Sequence, residues 1–494
     1  MSENSELVKK FLDKRIVHDN ACKQLIFYAG ISSFLNEPVN VFMKGASGIG
    51  KTYITREALK VFPQENIKYL AGMSPKAMFH QKGELRDSEG NLINFNEKPI
   101  KPLKKLYEKD EDYQKALEEY RKSLTLWNIR LEGSYKYINW SGKIVVFLEE
   151  PSEETMEILR PFMSHDKERI EYEFTDKSSS GKMITSRVII EGHPSFIFCS
   201  ASHKFMQEIT TRFFTVSPTQ TKEKIRDAKK LITRKYAFPM LYEKPTPEEE
   251  KVREIIEQIM KIPNFKRVIV PFLGLDKCFP EDIPRDMRDY EHFEQLCSAI
   301  ALTNRTLMFK QGNDTYFMAT MNDVLIALNI YDDIIETTRA GISERLLDFY
   351  WNVIAKKQWF TKNEENGWLL TELVDAYNNK YSDTLSTNSL RYQMHQLDKA
   401  GFVKTETEKK AYRYIPIKTE RDNRLISSIN NFSSSVLEKN LRKLLEWYRT
   451  KGQFLHKEKI LNSLEEIFEI VYKNTASVRL PSEPFPQSIQ EKKL

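Results

Sequence analysis

At 494 residues the chain is too long for one ordinary core, and about three domains are expected. Its 76 basic and 70 acidic residues leave a net charge of +6, which permits a nucleic-acid partner without demanding one, so any basic surface must be local. Cys22, Cys199, Cys278 and Cys297 lack metal-ligand spacing, the first fifteen residues are polar and charged, and no apolar run approaches a membrane span; the expectation is a cytoplasmic protein with no export signal and no membrane partner.

Residues 6–15 and 20–35 carry apolar side chains at helical spacing (Leu7 and Phe11; Leu25, Phe27, Ile31 and Phe34) and form a helical lead-in. Residues 39–43 then read as a buried strand that runs straight into Gly45, Ala46, Ser47, Gly48, Ile49, Gly50, Lys51 and Thr52, the full G-x-x-x-x-G-K-T spacing. Glycines at 45, 48 and 50 let backbone N–H groups turn inward on phosphate oxygens, and the helix opening at Lys51 adds its positive end. Lys51 is expected on the β- and γ-phosphates of ATP and the Thr52 hydroxyl on Mg²⁺.

A second strand follows at residues 67–72. Residues 73–142 then break the pattern with a turn-rich piece and a charged helical stretch at 101–130, an insertion too long for a loop. Residues 143–151 are a buried strand ending in two acids, the arrangement in which one carboxylate holds the metal and the next orients the attacking water; Glu149 is assigned to the metal and Glu150 to the water. Beyond a helix bearing Met156, Leu159 and Met163, alternating residues 169–175 and 183–191 flank turn chemistry and predict a hairpin with Lys177 and Lys182 at its tip, suited to a phosphate backbone or simply solvated. The buried strand at 194–200 ends in polar residues, of which Ser202 is chosen to sense the γ-phosphate. Arg212 lies where a side chain can reach a nucleotide bound by a neighbouring subunit.

Walker A, Walker B, hairpin, polar strand end and Thr-Arg-Phe, in that order, resemble an AAA+ ATPase of the pre-sensor-1 hairpin group, which includes minichromosome maintenance and superfamily 3 helicases and related replication ATPases of archaeal plasmids and viruses. The resemblance implies ATP-site roles for Lys51, Thr52, Glu149 and Glu150, sensor 1 for Ser202, an arginine finger for Arg212, DNA tracking for Lys177 and Lys182, and sensor 2 for Arg288, with Arg285 as second choice. Glu for the first Walker B acid and Ser at sensor 1 depart from the pattern. From Trp368 onward, two short helices and a hairpin resemble a winged helix-turn-helix, whose second helix would present Thr387, Asn388, Arg391, Tyr392 and His395 to DNA, with Lys404, Lys409, Lys410 and Arg413 on the wing.

The expected fold is α/β: an AAA+ P-loop parallel sheet core at 1–235, a helical lid at 236–345, a winged helix-turn-helix at 346–418 and a small helical tail at 419–494. The expected function is an ATP-dependent DNA helicase or translocase of replication, with ATP hydrolysed between subunits of a ring, most simply a hexamer. The alternatives are a non-translocating replication initiator or helicase loader, and a signalling or defence ATPase.

Overall fold

The computed structural model describes residues 2–78, 81–177, 183–200, 210–356, 367–381, 385–408, 411–419 and 434–473. Its strands are β1 (Val41–Lys44), β2 (Ile67–Leu70), β3 (Glu84–Arg86), β4 (Tyr135–Asn139), β5 (Ile144–Phe147), β6 (Arg169–Lys177), β7 (Met183–Glu191), β8 (Ser195–Ser200) and β9 (Phe214–Val216). They continue as β10 (Phe265–Ile269), β11 (Leu307–Gln311), β12 (Asp314–Met318), β13 (Trp368–Leu369), β14 (Val403–Glu408), β15 (Ala411–Pro416), β16 (Gln453–His456) and β17 (Lys459–Leu461). The chain divides into two compact units, one of Met1–Ala71, Ile144–Glu150 and Ser195–Leu494, the other of Gly72–Lys143 and Pro151–Pro194.

The first unit is built on a five-stranded parallel sheet in the order β2-β5-β8-β1-β9. Strands β1, β5 and β8 are buried along their whole length, which is why they read as unbroken apolar runs rather than alternating ones. Polar side chains fix the register at the strand entries: Ser195 Oγ donates to Val39 O at 2.7 Å, and Asn40 Oδ1 accepts from the Phe196 N–H at 3.0 Å. Parallel pairing sets Lys44 beside Ser200, so their side chains share one edge of the sheet. The helix Asn20–Ser32 is enclosed on nearly all sides, and a side chain in place of Gly30 would meet the Phe62 ring at 2.6 Å. The fold class is α/β with the P-loop leading out of the sheet's fourth strand in spatial order.

The long helix Met321–Ala340 is opened by a capping box of Thr320 and Asp323, and Glu344–Phe349 follows the Gly341 break. Two findings differ from the sequence expectations. The expected helical lid contains β10, β11 and β12, and the tail expected to be helical returns to complete their sheet, giving the order β10-β12-β11-β16-β17. Second, in the second unit the hairpin β6-β7 shares a sheet with the insertion: β4 pairs in parallel with β7, and β3 extends the sheet to β3-β4-β7-β6, with Tyr172 of β6 against the helix Glu153–Met163.

The third module, residues 342–417, has its own apolar core from Ile342 to Tyr414. Helices Leu370–Tyr381 and Thr387–Lys399 precede the β14-β15 hairpin, and β13 pairs with β15, the element order of a winged helix.

The returning tail carries measurable stability. Phe454 is 1% exposed and its ring lies 5.1 Å from that of Phe309 across β16-β11. Phe454→Ala is expected to cost about 3–5 kcal/mol in urea unfolding. A loss below about 1 kcal/mol would mean that the tail is not part of the folded core.

Candidate functional site

Gly45, Gly48 and Gly50 have φ of 149°, 79° and 101°, values that side-chain-bearing residues rarely adopt. Nothing lies within 4 Å of where a Cβ would stand at Gly48 or Gly50, so those glycines serve the backbone turn rather than a tight fit. The helix Lys51–Leu59 begins at Gly50 with no side-chain cap, leaving its first N–H groups for an anion. Lys51 Nζ curls back to donate to Gly45 O at 2.6 Å and Ala46 O at 2.7 Å, and burial holds its pKa below the usual lysine value. Ala46, Ser47, Gly48 and Thr52 are exposed, so the mouth of the turn is open. These residues fit a triphosphate, with the Thr52 hydroxyl and the exposed Glu149 as the oxygen ligands on hand for Mg²⁺.

Glu150 is half-buried and accepts a hydrogen bond from Ser200 Oγ at 2.8 Å. Ser200 ends β8, and Ser202, the residue expected to sense the γ-phosphate, lies outside the described residues. Only the parallel register, which sets Ser200 beside Lys44 and is not written in the sequence, brings Ser200 to this edge. Lys44 is itself buried, donates to Gly341 O at 2.6 Å, and has its pKa lowered to about 8 by burial and by Arg285, against the pull of Glu150. This lysine was not foreseen either.

The helix Arg285–Asn304 carries Arg285 and Arg288 near its start, and burial first, then the charges of Arg285, Arg288 and Arg212, push the pKa of the buried His292 on the same helix down to about 3. Arg212 is 8% exposed, and reaching a nucleotide bound by a neighbouring subunit, as the resemblance implies, requires this buried side chain to move. Arg285 pairs with Asp289 at 3.1 Å and donates to Phe213 O at 3.2 Å, while Arg288 is exposed and donates to Thr211 Oγ1.

On the other flank of the P-loop, His18 and Asp19 both adopt left-handed φ, 56° and 49°. Asp19 accepts from the Thr219 N–H at 2.8 Å and pairs with Lys224, whose Nζ also donates to Ile49 O at 3.2 Å. His18 also lines a cleft of about 740 Å³ whose walls include Ile16, Val17, Leu231, Arg234 and Tyr242, mixed apolar and polar and of a size for a nucleoside.

Of the expected nucleic-acid residues, Thr387, Asn388, Arg391, Tyr392 and His395 are exposed on the helix Thr387–Lys399, and the Arg391 guanidinium lies over the Tyr412 ring at 5.4 Å. Lys177 ends β6, in register with Met183. Lys182, Lys409 and Lys410 lie outside the described residues. Lys51, Glu150 and the P-loop thus belong to one unit, and Lys177 to the other.

Residues 2–104, which contain the whole of the P-loop, match the family model described as the MTBMA_p00010 P-loop domain. No curated protein matches the chain. Among solved structures it is similar to the Aeropyrum pernix Orc1 protein in complex with DNA, at 10% identity over 87% of this chain and 93% of that one, with a TM-score of 0.19. It is also similar to the SCCmec type IV Cch active helicase (11% identity, 84% and 70% of the two chains, TM-score 0.29) and to Cdc6p from Pyrobaculum aerophilum (12% identity, 90% and 98%, TM-score 0.17). Scores this low do not extend to function. No helix among the described residues is long and apolar enough to cross a membrane.

Lys44 is directly observable. Its Nζ is expected to titrate near pH 8 rather than at the ordinary lysine value of 10.5, followed through the ¹³Cε shift, and Glu150→Gln should lower that midpoint further by removing the charge that raises it. A midpoint above 10 in the intact protein, or one that rises in Glu150→Gln, would contradict the buried geometry.

Proposed function

We propose that this protein is a Mg²⁺-dependent ATPase that binds DNA and acts in replication, working as a ring-forming helicase or translocase. The observation that carries the reading is the shared sheet edge: the P-loop turn follows β1, and Glu150 follows β5 where Ser200 at the end of β8 holds it. The open glycine turn and the uncapped helix start receive the triphosphate, Lys51 moves from two neutral carbonyls to phosphate oxygens, and Mg²⁺ supplies charge neutralisation when bound. Glu150, freed from or steered by Ser200, takes a proton from the attacking water. The nucleoside occupies the cleft beside Ile16 and Leu231. The exposed residues of the helix Thr387–Lys399 supply the duplex-facing surface. Lys177 and Lys182 would follow a strand threaded through the ring, which acts in the cytoplasm.

The enclosure of Arg212 favours a second reading, a non-translocating initiator in which ATP switches assembly. In that case oligomerisation would draw Arg212 out of its buried position, and turnover would be slow.

Glu150→Gln decides whether the ATP site is assigned correctly: ATP affinity should be kept while turnover falls by about 10²–10⁴. Unchanged turnover would remove Glu150 from the reaction. With that variant as the control, strand displacement on a forked duplex by the intact protein supports the translocase. ATP- and duplex-dependent assembly without displacement supports the initiator.

A further inference from the structure

The helix Thr387–Lys399 has three faces. Leu390, Met394 and Leu397 fill the module's own core, and Thr387, Asn388 and Arg391 point outward. Gln393 belongs to neither set: it borders a cavity of about 250 Å³ whose other walls include Gly45, Ala46 and Ile49 of the P-loop and Ser217 beyond β9. Two polar atoms there have no hydrogen-bond partner, Gln393 Oε1 and the Oγ of Ser217, a residue only 7% exposed. A buried polar atom left unpaired is costly, so this seam gains whenever a small movement or an added group satisfies either atom.

The seam is also mechanically tied. Arg345, at the start of the third module, donates to Gln220 Oε1 at 3.0 Å, and its guanidinium lies over the rings of Tyr377 at 5.0 Å and Tyr381 at 4.6 Å. Gln220 is four residues past the end of β9, the strand paired with β1. Tyr392, next to Gln393, is 40% exposed; burial raises its hydroxyl pKa, a hydrogen bond with Gln396 opposes this, and the charge of Glu150 adds to the rise. One helix therefore carries residues open to a duplex and residues at the edge of the nucleotide site.

We propose that this helix reports DNA to the P-loop of its own chain: a duplex seated on Thr387, Asn388 and Arg391 shifts the helix, and Gln393 passes the shift across the cavity to Gly45, Ala46 and Ile49. The inference rests on the DNA-binding reading of the third module given above. Coupling in this form needs no second subunit. It makes the affinities for nucleotide and duplex reciprocal, each changing the other by one common factor.

The test measures the affinity of the full-length protein for ATPγS with Mg²⁺, with and without a saturating short duplex, and the affinity for the duplex with and without ATPγS. The intact protein should show one coupling factor in both directions, about tenfold. Gln393→Ala should keep each separate affinity within about twofold while bringing the factor close to one. Gln220→Ala, on an exposed residue whose loss does not threaten folding, should reduce the factor as well. Asn388→Ala should weaken duplex binding and leave ATPγS binding alone intact. A coupling factor unchanged in both Gln393→Ala and Gln220→Ala overturns the inference and leaves the proposed function standing, as does an intact protein that binds both ligands independently. An intact protein that binds ATPγS but no duplex overturns both.

Discussion

The structure depends on the parallel pairing of β5, β8 and β1, because that pairing alone decides which strand ends meet. Glu150, Ser200, Lys44 and the P-loop come from segments separated by up to 156 residues, yet each stands at the carboxyl end of a buried strand. With the register held at the opposite end by Ser195 and Asn40, a slip of one residue would turn Ser200 to the other face of the sheet and leave the Glu150 carboxylate without that hydroxyl. Buried hydrogen bonds far from the site thus determine its chemistry.

Charge is distributed on the same principle. The net charge of +6 says almost nothing about a chain of this length, but around the P-loop Lys44, Lys51, Arg285 and Arg212 are all buried. Desolvation opposes each of these cations, as the lowered pKa values of Lys44 and Lys51 express. The two lysines donate to neutral carbonyls, Lys44 to Gly341 O and Lys51 to Gly45 O and Ala46 O, whereas Arg285 has the carboxylate of Asp289. Neutral acceptors hold an ammonium group less strongly than phosphate oxygens do, so the site is disposed toward a polyanion even before one arrives. Asp289 illustrates the converse, since burial raises its pKa to about 6 although Arg285 lies against it.

What could be read from the chain divides along physical lines. The P-loop, the acidic strand end and the two helices of the third module were legible because each is a contiguous pattern with its own periodicity or spacing. The β11-β12 hairpin was legible in principle, as Leu307–Gln311 and Asp314–Met318 flank a Gly312-Asn313 turn, but the helices on either side dominated the reading. The β16-β17 hairpin was not: its turn uses Lys457 and Glu458 at φ of 46° and 68°, where a sequence offers no glycine or asparagine to announce left-handed backbone. Ser200, Lys44 and Gln393 were illegible for a different reason. Each owes its place to a partner distant in sequence, and single-residue chemistry gave no ground for preferring Ser200 to Ser202.

The second unit shows the same limit at larger scale. As a sequence, residues 73–142 look like an appendage and residues 169–191 like a hairpin, with nothing to link the two. In the structure β4 and β7 pair over Lys136↔Val188 to Asn139↔Glu191, so the insertion forms part of the hairpin's sheet. Trp140 and Tyr172 both contact the ring of Phe162, on the helix that follows the acidic strand end. A two-stranded ribbon alone is marginal in water, and a four-stranded sheet with packed helices is not. The part of the insertion that pairs with the hairpin is β4, which adds a third strand at the base of its nine-residue stem, over Val188–Glu191, and β3 extends that sheet by a fourth.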